Sequence, residues 1–112
     1  SITLDLSAVP ILEGARQTAR QEIFSSLYPQ NLRSSQAISN LNEAKSYPDY
    51  PLLFDPQTSG GLIASIDEDN AEACLKALRS SGCLEAAIVG HVRAYSQDDR
   101  PSIFLIKNTF TS

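Results

Sequence analysis

Residues 53–62 read Leu53-Phe54-Asp55-Pro56-Gln57-Thr58-Ser59-Gly60-Gly61-Leu62, and the pattern of the chain changes on either side of them. Upstream, residues 46–56 hold Pro48, Pro51 and Pro56, which excludes a regular helix or a central strand. The same stretch carries Leu52-Leu53-Phe54, too apolar for a free linker, so we expect a short extended segment pinned on a core. Downstream, Gly60-Gly61 leads into Leu62-Ile63-Ala64-Ser65-Ile66, an apolar run of strand length. Two adjacent glycines open backbone conformations closed to other residues and let a ligand or a second backbone come close. Asp55, Thr58 and Ser59 add short oxygen-bearing side chains, successive free N–H groups form an anion-binding nest in such loops, and Pro56 stiffens the approach. Asp55, Gln57, Thr58, Ser59, Gly60 and Gly61 are therefore the candidate site residues. The residues alone fit two descriptions: a loop lining a phosphate-bearing site, or a well-specified turn whose hydroxyls satisfy its own backbone. It is not a Walker loop, because no Gly-Lys-[Ser/Thr] follows and a strand rather than a helix comes next.

Working toward the C-terminus, Asp67 is a good N-cap for a helix over about 68–81, with Glu68 and Asp69 near its positive end. Its inward face is Ala71, Cys74 or Leu75, and Leu78, and Gly82 suits the C′ position. Residues 86–92 and 102–107 read as strands, joined by the polar stretch Tyr95 to Pro101. Toward the N-terminus, Ile2-Thr3-Leu4-Asp5-Leu6 alternates as a half-buried strand does. Ile11, Ala15, Ala19, Ile23 and Leu27 then recur every four residues, the face of a helix that Tyr28-Pro29 should end, with Pro10 in its first turn. Ala37, Ile38, Leu41 and Ala44 suggest a second, shorter amphipathic helix capped by Ser34 or Ser35. This order predicts an α+β fold, a layered sandwich of a mixed β-sheet with helices, partly ferredoxin-like.

The length of 112 residues allows one domain and hides roughly two-thirds of the unfolded surface, enough for one core. Nine Lys and Arg stand against thirteen Asp and Glu, a net charge of −4, which makes nucleic acid a poor partner. No run approaches the ~18 consecutive apolar residues of a membrane span. The chain has no Met and opens on Ser1-Ile2-Thr3-Leu4, already inside an alternating pattern. We expect a single domain over 1–112 that is a C-terminal piece of a longer polypeptide; a small protein with a trimmed initiator is the alternative.

The two cysteines, Cys74 and Cys83, lack the CxxC spacing of zinc or redox sites and are too few for a disulfide scaffold. A reduced, cytoplasmic setting follows as the expectation. Cys74 reads as a small core hydrophobe and Cys83 as more exposed. His91, the one histidine, shares a strand face with Val89 and Ala87, which allows half-burial, and it reads as a structural or surface residue rather than a ligand. Asp67-Glu68-Asp69 reads as a solvated helix start and Asp98-Asp99 as a solvated turn, so no metal ligands are assigned.

Asp55-Pro56-Gln57-Thr58-Ser59-Gly60-Gly61-Leu62 resembles the signature near the end of selenophosphate synthetase (selenide, water dikinase). The flanks agree: residues 2–15 look like the strand and turn that open that family's C-terminal domain. Ser25-Ser26-Leu27-Tyr28-Pro29-Gln30-Asn31 is similar to a looser element, and Ile88-Val89-Gly90-His91-Val92 to a late strand. Aminoimidazole ribonucleotide synthetase, thiamine monophosphate kinase and the hydrogenase-maturation dehydratase share the domain, but their glycine loops differ. The resemblance implies the C-terminal domain fold of aminoimidazole ribonucleotide synthetase. It also implies an enzyme that makes selenophosphate from selenide, ATP and water, releasing AMP and phosphate, with Mg²⁺.

The family's reactive Cys or selenocysteine, its essential Lys and its metal-binding aspartates lie in an N-terminal ATP-binding region outside this sequence. No catalytic residue is therefore expected here, and the fragment alone should be inactive and bind neither Mg²⁺ nor ATP. The expected partners are that N-terminal domain and, in a full-length homodimer, selenide and ATP. Two other readings stay open: a small-ligand-binding regulatory domain, and an interaction domain of a fusion protein.

Overall fold

The computed structural model describes residues 1–57, 60–94 and 102–107. Strand β1 (Ile2–Asp5) is central in a three-stranded sheet of order β2-β1-β3. β2 (Gly90–Val92) runs antiparallel to it with Thr3 opposite His91, and β3 (Ile103–Ile106) runs parallel with Leu4 beside Leu105. The sheet is mixed and the fold α+β, as the element order requires. The period-2 register puts Leu4 and Leu105 on one face, and that face is the core. Leu6, Ile38, Ala44, Tyr50, Phe54 and Leu105 are buried there, with Leu4, Tyr28, Leu32, Leu41, Tyr47 and Ile103 packed against them. Among the described residues, every buried one apart from Leu105 precedes the glycine loop, and none of residues 60–94 is buried.

The outer edge of β3 is closed by a segment 65 residues away in sequence. Ile38 bridges Ile103, and the Ser39 amide donates to the Ile103 carbonyl at 2.7 Å. Asn40 then takes the part of a strand residue. Its Oδ1 accepts the Leu105 amide at 2.9 Å and its Nδ2 donates to the Leu105 carbonyl at 2.6 Å. Edge groups that are otherwise open to pairing are thereby satisfied.

The helices are shorter than the apolar spacing implies. Helix α1 covers only Ala15–Arg20, because Gly14 (φ 85°) and Glu22 (φ 58°) are left-handed on either side of it. At its end the Ile23 amide reaches the Thr18 carbonyl and the Glu22 amide the Ala19 carbonyl, a Schellman closure with glutamate where glycine is usual. Pro10 thus lies outside the helix. Pro29 does not end a helix either; it sits in the first turn of α2 (Tyr28–Asn31), where its missing N–H costs nothing. A 3₁₀ helix over Leu32–Ala37, with Ile38 extended after it, and then α3 (Leu41–Ala44) replace the single helix expected over that region. Residues 50–53 form a 3₁₀ turn rather than an extended segment, and Tyr50 and Phe54 are the side chains it anchors, with ring centroids 5.1 Å apart. An exposed pair, Arg16 Nε to Asp49 Oδ1 at 3.1 Å, ties α1 to this turn.

Beyond the loop, a 3₁₀ turn over Glu68–Asn70 precedes α4 (Ala71–Ser80). Asp67 occupies the cap position of that turn but makes no side-chain cap hydrogen bond. Gly82 (φ 104°) closes α4 as expected, with Cys83 bonded back to Leu78 and Gly82 to Arg79. Residues 62–66 form no strand, and Leu62 is fully exposed at 101%. An apolar run becomes a strand only with a neighbour to share its ladder, and among the described residues none pairs with it. Accordingly α4 has no buried residue; Ala71, Cys74 and Leu75 are half-buried and Leu78 is exposed. Cys74 is therefore not a core residue, while Cys83 is exposed and both thiols are free. His91 is exposed, the surface one of its two expected placements. Tyr95 to Pro101, with Asp98-Asp99, lies outside the described residues. Among the described residues no helix is long and apolar enough to cross a membrane.

Candidate functional site

Phe54 is buried in the core and Gln57 is exposed, so Asp55 and Pro56, both half-buried, carry the chain from the core to the surface. Two long-range contacts fix this departure point. The Ser25 amide donates to Asp55 Oδ1 at 2.7 Å, and the Asn31 side-chain amide donates to the Phe54 carbonyl at 3.0 Å. Gln57 Nε2 reaches Asp55 Oδ2 at 3.4 Å. The predicted residues Asp55 and Gln57 are thus brought together. Gly60 and Gly61 are exposed, and a Cβ built on either meets nothing within 4 Å, so the space over them is open. Neither has a positive φ. Thr58 and Ser59 lie outside the described residues.

Ser25 and Asn31 are the tethers that composition did not indicate. Their signal was the resemblance of residues 25–31 to a second family element. Within that element Phe24 and Tyr28 stack with centroids 4.2 Å apart. Burial holds the Tyr28 hydroxyl above its ordinary value of 10.0, and the nearby Tyr50 and Asp55 add to the shift. A tyrosine so held stabilises the fold below pH 10, and that contribution is lost as the pH climbs through the raised value. We expect the urea midpoint to fall as pH rises beyond about 10, and to fall less steeply in Tyr28→Phe; an unchanged slope in that variant would contradict the assignment.

The electrostatics of the loop are those of an anion-avoiding carboxylate beside neutral donors. Among the described residues no three His, Cys, Asp or Glu side chains gather as a metal site requires. A shallow groove lined by Glu72, Leu75, Lys76, Arg79 and Ser80 runs along α4 alone and includes none of the loop.

Comparisons with known proteins place the sequence in a family. A family described as AIR synthase related protein, C-terminal domain, matches residues 1–99. The chain is similar to the selenide, water dikinase of Clostridioides difficile (strain 630), 34% identical over 96 residues, covering 82% of this chain and 26% of that protein. It is 38% identical over 96 residues to the selenide, water dikinase of Rhizobium meliloti (strain 1021), covering 84% and 27%. It is 36% identical over 93 residues to selenide, water dikinase 2 of Peptoclostridium acidaminophilum, covering 81% and 26%. The chain therefore spans about a quarter of the length of these relatives. No solved structure matches it. With its mixed sheet, its helices and a match that runs from Ser1 through the glycine loop to β2, the chain belongs to the AIR synthase related protein C-terminal domain family.

Proposed function

We propose that the chain is the C-terminal domain, over 1–112, of a cytoplasmic, homodimeric selenide, water dikinase that makes selenophosphate from selenide, ATP and water. The observation that carries this reading is the loop Asp55-Pro56-Gln57-Thr58-Ser59-Gly60-Gly61, which resembles the dikinase signature and leaves the core at a point tied to Ser25 and Asn31. Phosphoryl transfer is chiefly positioning and neutralisation of charge by metal and cations. The described residues offer no cluster of acids for a metal. By the family resemblance, the nucleophile, the essential Lys and the Mg²⁺ ligands would belong to the N-terminal domain of the parent polypeptide, and this domain would supply a wall of the active site. Backbone N–H groups and hydroxyls of Thr58 and Ser59 would face phosphate or substrate, with the open space over Gly60 and Gly61 admitting it.

The test is made in the parent polypeptide by changing Thr58 and Ser59 together to Ala and following ATP- and selenide-dependent release of AMP. Loss of hydroxyl donors that act in the transition state should lower kcat by about tenfold or more. Unchanged rates in a folded variant would make the loop a structural turn.

A further inference from the structure

We propose that Asp55 is a positioning residue of the glycine loop, which aims the loop by holding the Ser25 amide and does not itself bind phosphate or metal. This inference rests on the reading of the loop as phosphate-proximal and gives its most conspicuous charged residue a different task from its neighbours. A bare carboxylate facing a phosphate is repelled by it. Here one oxygen is already committed, at 2.7 Å, to a backbone N–H 30 residues away, and the other faces the Gln57 amide. A charged acceptor on a backbone donor makes a short, strong bond, and because the partner is backbone the bond fixes main chain to main chain. The adjacent residue is tied as well, through Asn31 to the Phe54 carbonyl. Two consecutive residues are thus held against the segment 25–31, and Pro56 follows with its φ locked. Asp55 and Pro56 thereby fix the direction in which the chain leaves the core. Among the described residues Asp55 belongs to no group of three or more His, Cys, Asp or Glu side chains.

Asp55→Asn keeps an acceptor for the Ser25 amide and removes the charge, whereas Asp55→Ala removes both. In the 112-residue chain, amide resonances of Ser25, Gly60 and Gly61 report the aim of the loop. In the parent polypeptide, selenide-dependent AMP release reports its consequence. We expect Asp55→Ala to move all three resonances and lower kcat about tenfold, and Asp55→Asn to restore both to within about threefold. An Asp55→Asn variant that keeps the Ser25 signal yet is as slow as Asp55→Ala would overturn the proposal, because the charge would then act on the ligand. Unmoved Gly60 and Gly61 signals in Asp55→Ala would overturn it too, as would wild-type rates in an Asp55→Ala whose signals do move. If Asp55→Ala does not fold, Asn31→Ala removes the second tether, and the same glycine signals must shift. If the wild-type parent releases no AMP, the functional reading falls, while the glycine resonances still decide whether Asp55 aims the loop.

Discussion

Gly90→Ala should unfold far more readily than the wild type. In β2 the backbone at Gly90 lies so close to β1 that an added Cβ would run into the Thr3 carbonyl oxygen, with the Thr3 carbonyl carbon and Leu4 Cα both at 3.1 Å. All three obstacles are main-chain atoms of the central strand, which is held on one side by β2 and on the other by β3. No side-chain rotation relieves the clash, so either the β1–β2 ladder opens or β1 shifts against β3. Overpacking of this kind costs about 2–3 kcal/mol. For a domain of this size that corresponds to a fall in Tm of about 10 °C or more. Thermal unfolding followed by circular dichroism measures it. A shift of less than about 2 °C would mean that β2 does not lie against Thr3 as described.

Leu105→Ala should have an effect of similar size by the opposite route, a void instead of a clash. Leu105 is 1% exposed and packs with Leu6, Ile38, Tyr50 and Phe54 where the sheet meets the helices. Truncation removes the transfer free energy of three carbons and leaves a cavity. Its lining cannot collapse easily, because Asn40 holds both main-chain groups of Leu105. The expected loss is about 3 kcal/mol, read as a lower urea midpoint with an unchanged slope. Phe104→Ala, on the opposite face and 41% exposed, is the control and should cost about half of that or less.

These two sites also mark how far the sequence could be read. The alternation in residues 2–6 and the short apolar run within 102–107 place β1 and β3 to within about a residue at each end. Gly82 announces the end of α4, since glycine is the usual left-handed residue there. Glu22 does the same for α1 with a residue that carries no such signal, so the spacing from Ile11 to Leu27 continues through a helix that has stopped. Asn40 on Leu105 was not visible at all, because its partner is 65 residues distant and asparagine has many uses. Leu62–Ile66 shows the converse: the residues are those of a strand, but pattern cannot supply a neighbour, and Leu62 lies in the open.

For the candidate site, composition alone pointed to the glycine loop and its oxygen-bearing side chains. It could not separate Asp55, tied to Ser25, from residues free to meet a ligand. The distinction lies in tertiary contacts over 30 and 23 residues, and only the family resemblance of residues 25–31 drew attention to their other end.

The proposal that this domain completes a selenide, water dikinase is open to direct test. The most direct measurement is AMP release from ATP by the purified parent polypeptide, with and without selenide. AMP and phosphate should form only when selenide is present. A folded parent that binds ATP and releases no AMP with selenide, or releases it equally without, would contradict it.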